Sequence, residues 1–191
     1  MIRLATAEDL NRLRVTGVRA FVDDPVQRWL FPEDDDYSNN GASLFAYMSR
    51  RWQHTDSQWC TDDGVAFAGW VPPGRPEVPE EVLGSLGLLP DWRAERIGAL
   101  VAVMAENTPP EDHWYLNILA THPDWQRQGL GTALMKVVFN IADEAGLPCY
   151  LETETIENVA YYRHHGFDVR SEWDVALEGP HMWGMLRPPL G

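Results

Sequence analysis

Seven residues, Gln126-Arg127-Gln128-Gly129-Leu130-Gly131-Thr132, form a two-glycine turn between an apolar strand pattern and a helical one. Glycines let a backbone come close to a ligand, and the first N–H groups of a helix lack intrahelical acceptors and sit at its positive end, so the turn suits a phosphate. It is not a P-loop, because no Lys-Ser/Thr follows the second glycine. A dinucleotide-binding turn would need a third glycine. Downstream, Glu152 and Glu154 stand two residues apart in a strand pattern and share one of its faces. Asn158, Tyr162 and His165 are spaced i, i+4, i+7 and share one face of a short helix. A carboxylate can accept a proton, and a phenol, with an ordinary pKa of ~10, can donate one at neutrality.

These groups need a strand, a turn and a helix to hold them, and residues 113 to 145 read as that unit. Trp114 to Ala120 is an aromatic, β-branched and aliphatic run broken by Asn117, the profile of a strand covered on both faces. His122-Pro123 ends it. From Leu130 the apolar positions Ala133, Leu134, Val137, Val138, Ile141, Ala142 and Ala145 follow helical spacing over four turns, and Gly146 and Pro148 stop the helix.

Gln126-x-x-Gly129-x-Gly131 between strand and helix resembles the pyrophosphate loop of the GNAT superfamily of N-acetyltransferases. Leu151-Glu152-Thr153, Asn158 four residues before Tyr162, Gly166-Phe167, and Gly179-Pro180 with Trp183 resemble the puromycin N-acetyltransferase-like branch. The likeness is specific over residues 113 to 187 and looser before them. It implies an α/β GNAT fold: a mixed central β-sheet of about seven strands, flanked by helices and splayed between the strands at Trp114 to Thr121 and Cys149 to Thr153. It also implies acetyl-CoA as cosubstrate, held by Leu119, Ala120 and Thr121 of the strand, by Gln126, Arg127, Gln128, Gly129, Leu130, Gly131 and Thr132 of the turn, and by Asn158 and Tyr162.

The resemblance assigns Tyr162 as general acid to the departing thiolate. Tyr161, its neighbour, is expected to turn elsewhere and pack. The base is less determined, because Asn117 stands where some family members carry a carboxylate. Glu152 either deprotonates an acceptor ammonium, directly or through water, or is a structural carboxylate bonded to backbone amides; both readings stay open. His113 and His122 are alternatives, although lone histidines flanking a strand are usually structural or exposed.

The implied reaction is acetyl transfer to an amine of a small molecule such as an antibiotic or metabolite. A peptide or protein amine is a second reading, and a non-catalytic acyl-CoA-binding module is a third. Nine tryptophans suit an aromatic acceptor and a core equally well.

At 191 residues the chain is expected to form one GNAT domain spanning 1–191, with 75–112 as a helical insertion or lid beside the sheet. A formal charge of −14 argues against nucleic acid or a membrane surface as partner, and a negative field concentrates a cationic amine. The opening MIRLATAEDL has no basic-then-apolar pattern, and no apolar run is of membrane-spanning length, so a cytoplasmic monomer or homodimer is expected. Cys60 and Cys149 fall in separate strands without metal-type spacing, which predicts buried thiols and no metal site.

Before the central unit, Ile2 to Leu4 reads as a strand, Thr6 caps a helix running to about Val22, and Pro32 to Asp36 reads as a solvated acidic loop. A helix is predicted from about Ser38 to His54, and a hairpin through Asp62-Asp63-Gly64. Leu83 to Leu89 and a helical pattern from Asp91 to Met104 fill the insertion. Phe167 to Val175 and Met182 to Leu186 complete the sheet.

Overall fold

A computed structural model of the protein describes residues 1–86 and 89–190. Its strands are β1 (Ile2–Leu4), β2 (Gln58–Thr61), β3 (Ala66–Val71), β4 (Trp114–Thr121), β5 (Cys149–Thr153), β6 (Asp168–Asp174) and β7 (His181–Arg187). They form one sheet in the order β1-β2-β3-β4-β5-β7-β6, in which only the central β4–β5 pair is parallel. The helices are α1 (Leu10–Ala20), α2 (Pro25–Leu30), α3 (Asp34–Asp36), α4 (Ala42–His54), α5 (Glu80–Leu83), α6 (Asp91–Asn107), α7 (Leu130–Glu144) and α8 (Ile156–His164). This is the mixed, helix-flanked sheet that the sequence predicts. Among the described residues, no helix is long and apolar enough to cross a membrane.

Strand alternation sorts the core into two layers. Ala66, Ala68 and Trp70 of β3, Leu116 of β4 and Leu151 of β5 face α7, where Leu134, Met135, Val138 and Ala142 are fully buried. Phe67 and Ala120 point to the other face, against Leu13 of α1 and Trp52 of α4. Cys60 and Cys149 are buried free thiols, as expected. Burial above all, with the neighbouring carboxylates of Asp9 and Asp143 adding to it, pushes Cys60 up to about 11 and Cys149 to about 12, so they stay protonated.

The pairing of β4 with β5 stops early. Only Trp114, Tyr115 and Leu116 have partners, in Cys149, Tyr150 and Leu151, and beyond them the strands part. On its other side β4 carries an irregularity at the same height: Gly69 faces Ile118 and Trp70 faces Leu116, which leaves Asn117 as the extra residue. Such a bulge bends its strand and sharpens the twist, turning β4 away from β5 where the gap opens.

The N-terminal half differs from expectation in three places. The first helix ends at Ala20, two residues early, and begins as a tight turn at Ala7–Asp9, with the Asp9 carboxylate accepting from the Thr6 N–H. The predicted helix from Ser38 starts at Ala42, because Tyr37–Gly41 forms a wide π-type turn in which Gly41 passes the Tyr37 ring. The acidic run is no simple solvated loop: Asp34–Asp36 is helical, and Asp36 pairs with Arg93 of α6, itself 2% exposed. Arg93 also donates to the Leu30 carbonyl at 2.9 Å and stacks over Phe31. Arg96 donates to the Trp29 carbonyl. The N-terminal part of α6 is thereby tied to α2. Of the predicted apolar segment Leu83 to Leu89, residues 87 and 88 lie outside the described residues.

Gly69 lets the sheet approach α4 closely, since a Cβ there would lie 2.3 Å from the buried Trp52 ring. Gly69→Ala is expected to destabilise the fold by ~1–3 kcal/mol, the usual cost of overpacking, read as a lower urea midpoint at unchanged slope.

Candidate active site

The two-glycine turn is set by backbone conformation at its middle. Arg127 (φ 60°) and Gly129 (φ 80°) are left-handed, and Gly129 caps α7, taking the Ala133 N–H on its carbonyl at 3.0 Å. The N–H groups of Leu130, Gly131 and Thr132 are then left as the free donors of the helix start. Nothing lies within 4 Å of where a Gly129 Cβ would be, so the turn presents open space. Gln126 ties the turn back to the strand by donating to the Thr121 carbonyl at 3.3 Å.

A cavity of about 900 Å³ is lined by this turn, by β4 and β5 at the gap between them, and by residues of α2, α4 and α6. Leu119, Thr121, Gln126, Arg127, Gly129, Leu130, Gly131, Thr132, Glu152, Asn158 and Tyr162 all line it. Two predicted positions do not. The Ala120 side chain is fully buried against α1 and α4, because alternation turns it off the gap, and Gln128 is exposed at the outer side of the turn. Ile97, Leu100, Val101 and Met104 of α6 form part of the far wall.

Tyr162 sits half-buried with its ring edge against Phe167, at a centroid distance of 5.8 Å. Burial first, then the charge of Glu154, pushes its hydroxyl well above the ordinary value, so it carries its proton at any physiological pH. Glu152 stands on the floor of the gap beside Tyr115 and Tyr150, whose rings approach to 6.0 Å and close the vertex. Both carboxylate oxygens of Glu152 are shut off from solvent without a hydrogen bond. The Tyr115 and Tyr150 hydroxyls lie near enough to favour its charge but close no standard bond, and burial wins, raising the carboxyl to about 7. Its bonding to backbone amides, one of the two readings left open, is not what the structure shows. Asn117 donates to the Tyr115 hydroxyl at 3.1 Å. Glu154, just past the end of β5, is held well above the ordinary carboxylate range by burial and by the carboxylate of Asp24.

Three residues at the site carry no signal in the sequence reading. Tyr161 packs its ring on Tyr162 and His165, as expected, but it does more: its hydroxyl lies 3.4 Å from Thr132 Oγ1, near where a Gly131 Cβ would be, and His165 Nε2 meets the same Thr132 at 3.2 Å. Helical side chains lean back toward the N-terminus, which brings Tyr161 over the turn. Asp24 and Gln27 of α2 line the chamber, and only the tertiary fold brings them to β5. His113 and His122 do not line the cavity. His113 is buried against Tyr150 and bonded to the Glu111 carbonyl, a structural role.

The fold and this cleft define a class. The sequence profile of the Acetyltransferase (GNAT) family matches residues 27–167, and the chain belongs to that family. GNAT acetyltransferases use acetyl-CoA, and the open left-handed glycine, the free helix-start N–H groups and the gap in the sheet fit it. Among curated proteins, an uncharacterized N-acetyltransferase of Schizosaccharomyces pombe is 40% identical over 58 residues, 30% of this chain and 24% of that protein, so the matched stretch spans about a quarter of the relative. Among solved structures, the histone acetyltransferase HPA2 and related acetyltransferase of Corynebacterium glutamicum superposes with a TM-score of 0.72 at 22% identity, over 100% of this chain and 97% of that one. Arylalkylamine N-acetyltransferase 2 of Aedes aegypti superposes with a TM-score of 0.66 at 12% identity, over 98% of each chain. The paia N-acetyltransferase of Thermoplasma acidophilum, solved with coenzyme A, gives 0.54 at 13% identity, over 98% of each chain. At these identities the likeness is one of fold.

The raised pKa of Glu152 has a stability consequence of definite sign. The folded carboxyl titrates at about 7 against 4.5 in the unfolded chain, so its ionisation opposes folding above pH 7 and the penalty fades toward pH 4.5. Glu152→Gln is expected to stabilise the protein by on the order of 2 kcal/mol at pH 8 and by little at acid pH. Urea unfolding of both proteins at the two pH values checks this, and a pH-independent difference would contradict it.

Proposed function

We propose that the protein is an acetyl-CoA-dependent N-acetyltransferase acting on a small-molecule amine, with Glu152 as base and Tyr162 as acid. One observation carries the reading: an unpartnered carboxylate poised near neutrality and a protonated phenol line the same cavity as the two-glycine turn. Bound acetyl-CoA supplies the activated acetyl group. The free N–H groups after Gly129 hold its pyrophosphate, with Tyr161, Thr132 and Asn158 beside it, and the unpaired edge of β4 from Leu119 to Thr121 accompanies the pantetheine arm as an added strand would. Glu152 takes the proton that the acceptor nitrogen sheds as it forms its bond to the acetyl carbon. Tyr162 gives its proton to the sulfur as the carbon–sulfur bond breaks.

A small acceptor is favoured over a peptide because α6 and the α2–α4 region roof the chamber. The acidic floor suits a cation, and the apolar walls suit a hydrocarbon body. Two of the similar folds are named for arylalkylamines, and the puromycin-like sequence pattern puts aminoacyl amines on the list of acceptors to try.

Tyr162→Phe is expected to lower kcat by about 10²-fold or more while coenzyme A affinity stays unchanged, as loss of an acid but not of a ligand contact requires. Wild-type turnover in that variant would remove Tyr162 from the reaction. Because Glu152 must lose its proton to act, kcat/KM is expected to rise with pH and level off above about 7. Glu152→Gln should abolish that limb. Gly129→Val is expected to weaken coenzyme A at least about tenfold, roughly 1.4 kcal/mol, in calorimetry. A thermal midpoint measured alongside separates this from the strain of a valine at φ 80°.

A further inference from the structure

The chamber has a second polar pole that the acetyl-transfer chemistry does not use. Asp24 caps α2, one carboxylate oxygen accepting the Gln27 N–H at 2.8 Å. Gln27 is only 7% exposed, yet its Oε1 has no hydrogen-bond partner, and the residue lines the cavity. Glu154, the residue after β5, lines the same cavity and feels the Asp24 carboxylate. Around them the walls are apolar, with Val26, Leu30, Leu44 and Ile97 among them. Arg127, at the distant glycine turn, is the one cationic side chain among the described cavity residues.

A buried acceptor atom without a donor costs about 1–3 kcal/mol, and two carboxyl groups facing each other in an apolar chamber add to the cost. Without a ligand, Glu154 meets the cost by keeping its proton, since burial and Asp24 hold its pKa well above the carboxylate range. That proton can serve the carboxyl pair. It gives the Gln27 amide no partner. An ammonium has three donors, and this pole offers three kinds of acceptor: Asp24, Glu154 and Gln27 Oε1. A hydroxyl, with one donor and no charge, would satisfy only one of them. Full pairing is what lets a charge be buried at all.

We propose that Asp24, Gln27 and Glu154 form a subsite for a second ammonium group, so that the acceptor is a short diamine whose near nitrogen addresses Glu152 while the far one sits at this pole. The proposal rests on the acetyltransferase reading for the role of Glu152. Spacing sets the length of the acceptor. Glu154 follows Glu152 by two residues, one past the end of β5, so their Cα atoms lie at most about 7 Å apart, a distance that an extended butane- or pentane-length spacer bridges. When the second ammonium enters, it replaces the proton on Glu154, which leaves as the cation arrives. The exchange keeps the charge of the pole constant.

Calorimetric titration of the coenzyme A-saturated protein with 1,4-diaminobutane and with 1-aminobutane tests the subsite without relying on turnover. The diamine is expected to bind at least about tenfold more tightly, the scale of a charge-assisted, fully hydrogen-bonded contact. Glu154→Gln, nearly isosteric, and Gln27→Leu are each expected to bring the two affinities to within about twofold of one another. Equal affinities in the wild type would overturn the subsite, and so would a diamine preference that survives both substitutions. Acetylation assays on the same two amines keep the readings apart. A diamine that binds selectively but is never acetylated would refute the catalytic reading and leave the subsite standing. Two amines acetylated with equal kcat/KM and bound equally would do the reverse.

Discussion

The early end of pairing between β4 and β5 is the constraint on which the rest of the structure depends. A central strand pair normally satisfies every backbone group by its neighbour, and buried N–H and C=O groups without partners are costly. Here three residue pairs hold the strands together, and then the bulge at Asn117 turns β4 away. The open backbone is tolerated because it lines a cavity, and because both strands stay anchored on their outer sides, β4 to β3 and β5 to β7. The helix after β4 starts at the mouth of that gap, α8 closes its side with Tyr162, and Glu152 is the first residue of β5 beyond the last pair.

The same opening produces the electrostatics. A carboxylate one residue past the vertex of a sheet cannot be reached by bulk water, and no amide is left to bond it, so it titrates near neutrality. At the other end of the cavity, the helix start offers N–H groups to an anion. The two ends of one passage thus have opposite preferences inside a chain whose formal charge is −14. In the proposed reaction this polarity sorts the substrates, phosphate at one end and ammonium at the other. The roof over the ammonium end is held by Arg93 and Arg96, which bind α6 to α2 through main-chain carbonyls and Asp36.

Local pattern explains why so much of the central unit is legible in the sequence. The strand is read as 114 to 120 and observed as Trp114–Thr121, and the helix is read as 130 to 145 and observed as Leu130–Glu144, because each follows from periodicity and from Gly and Pro at its ends. The glycine turn is local in the same sense, whereas β5 ends at Thr153, so Glu152 and Glu154 both line the cavity without sharing a strand face. The role of the Tyr161 hydroxyl is not legible because it meets Thr132 of α7, 29 positions upstream, while only the ring packs locally on Tyr162 and His165. Arg93 belongs to a segment read only as helical, and the groups that surround it, Asp36, Leu30 and Phe31, come from far upstream. Asp24 and Gln27 follow the end of the first predicted helix, and nothing in their spacing brings them to the cavity beside Glu154. Ala120 shows the converse: membership of the right strand does not place a side chain on the right face.

Backbone amide hydrogen exchange of β4, with and without saturating acetyl-CoA, tests the central claim most directly. The account predicts that amides within 117–121 that face the gap exchange readily in the free protein and become protected on binding, while those paired to β3 change little. Unchanged protection along that stretch in a protein shown to bind acetyl-CoA would contradict it, because the ligand would then lie elsewhere than in the opening between the strands.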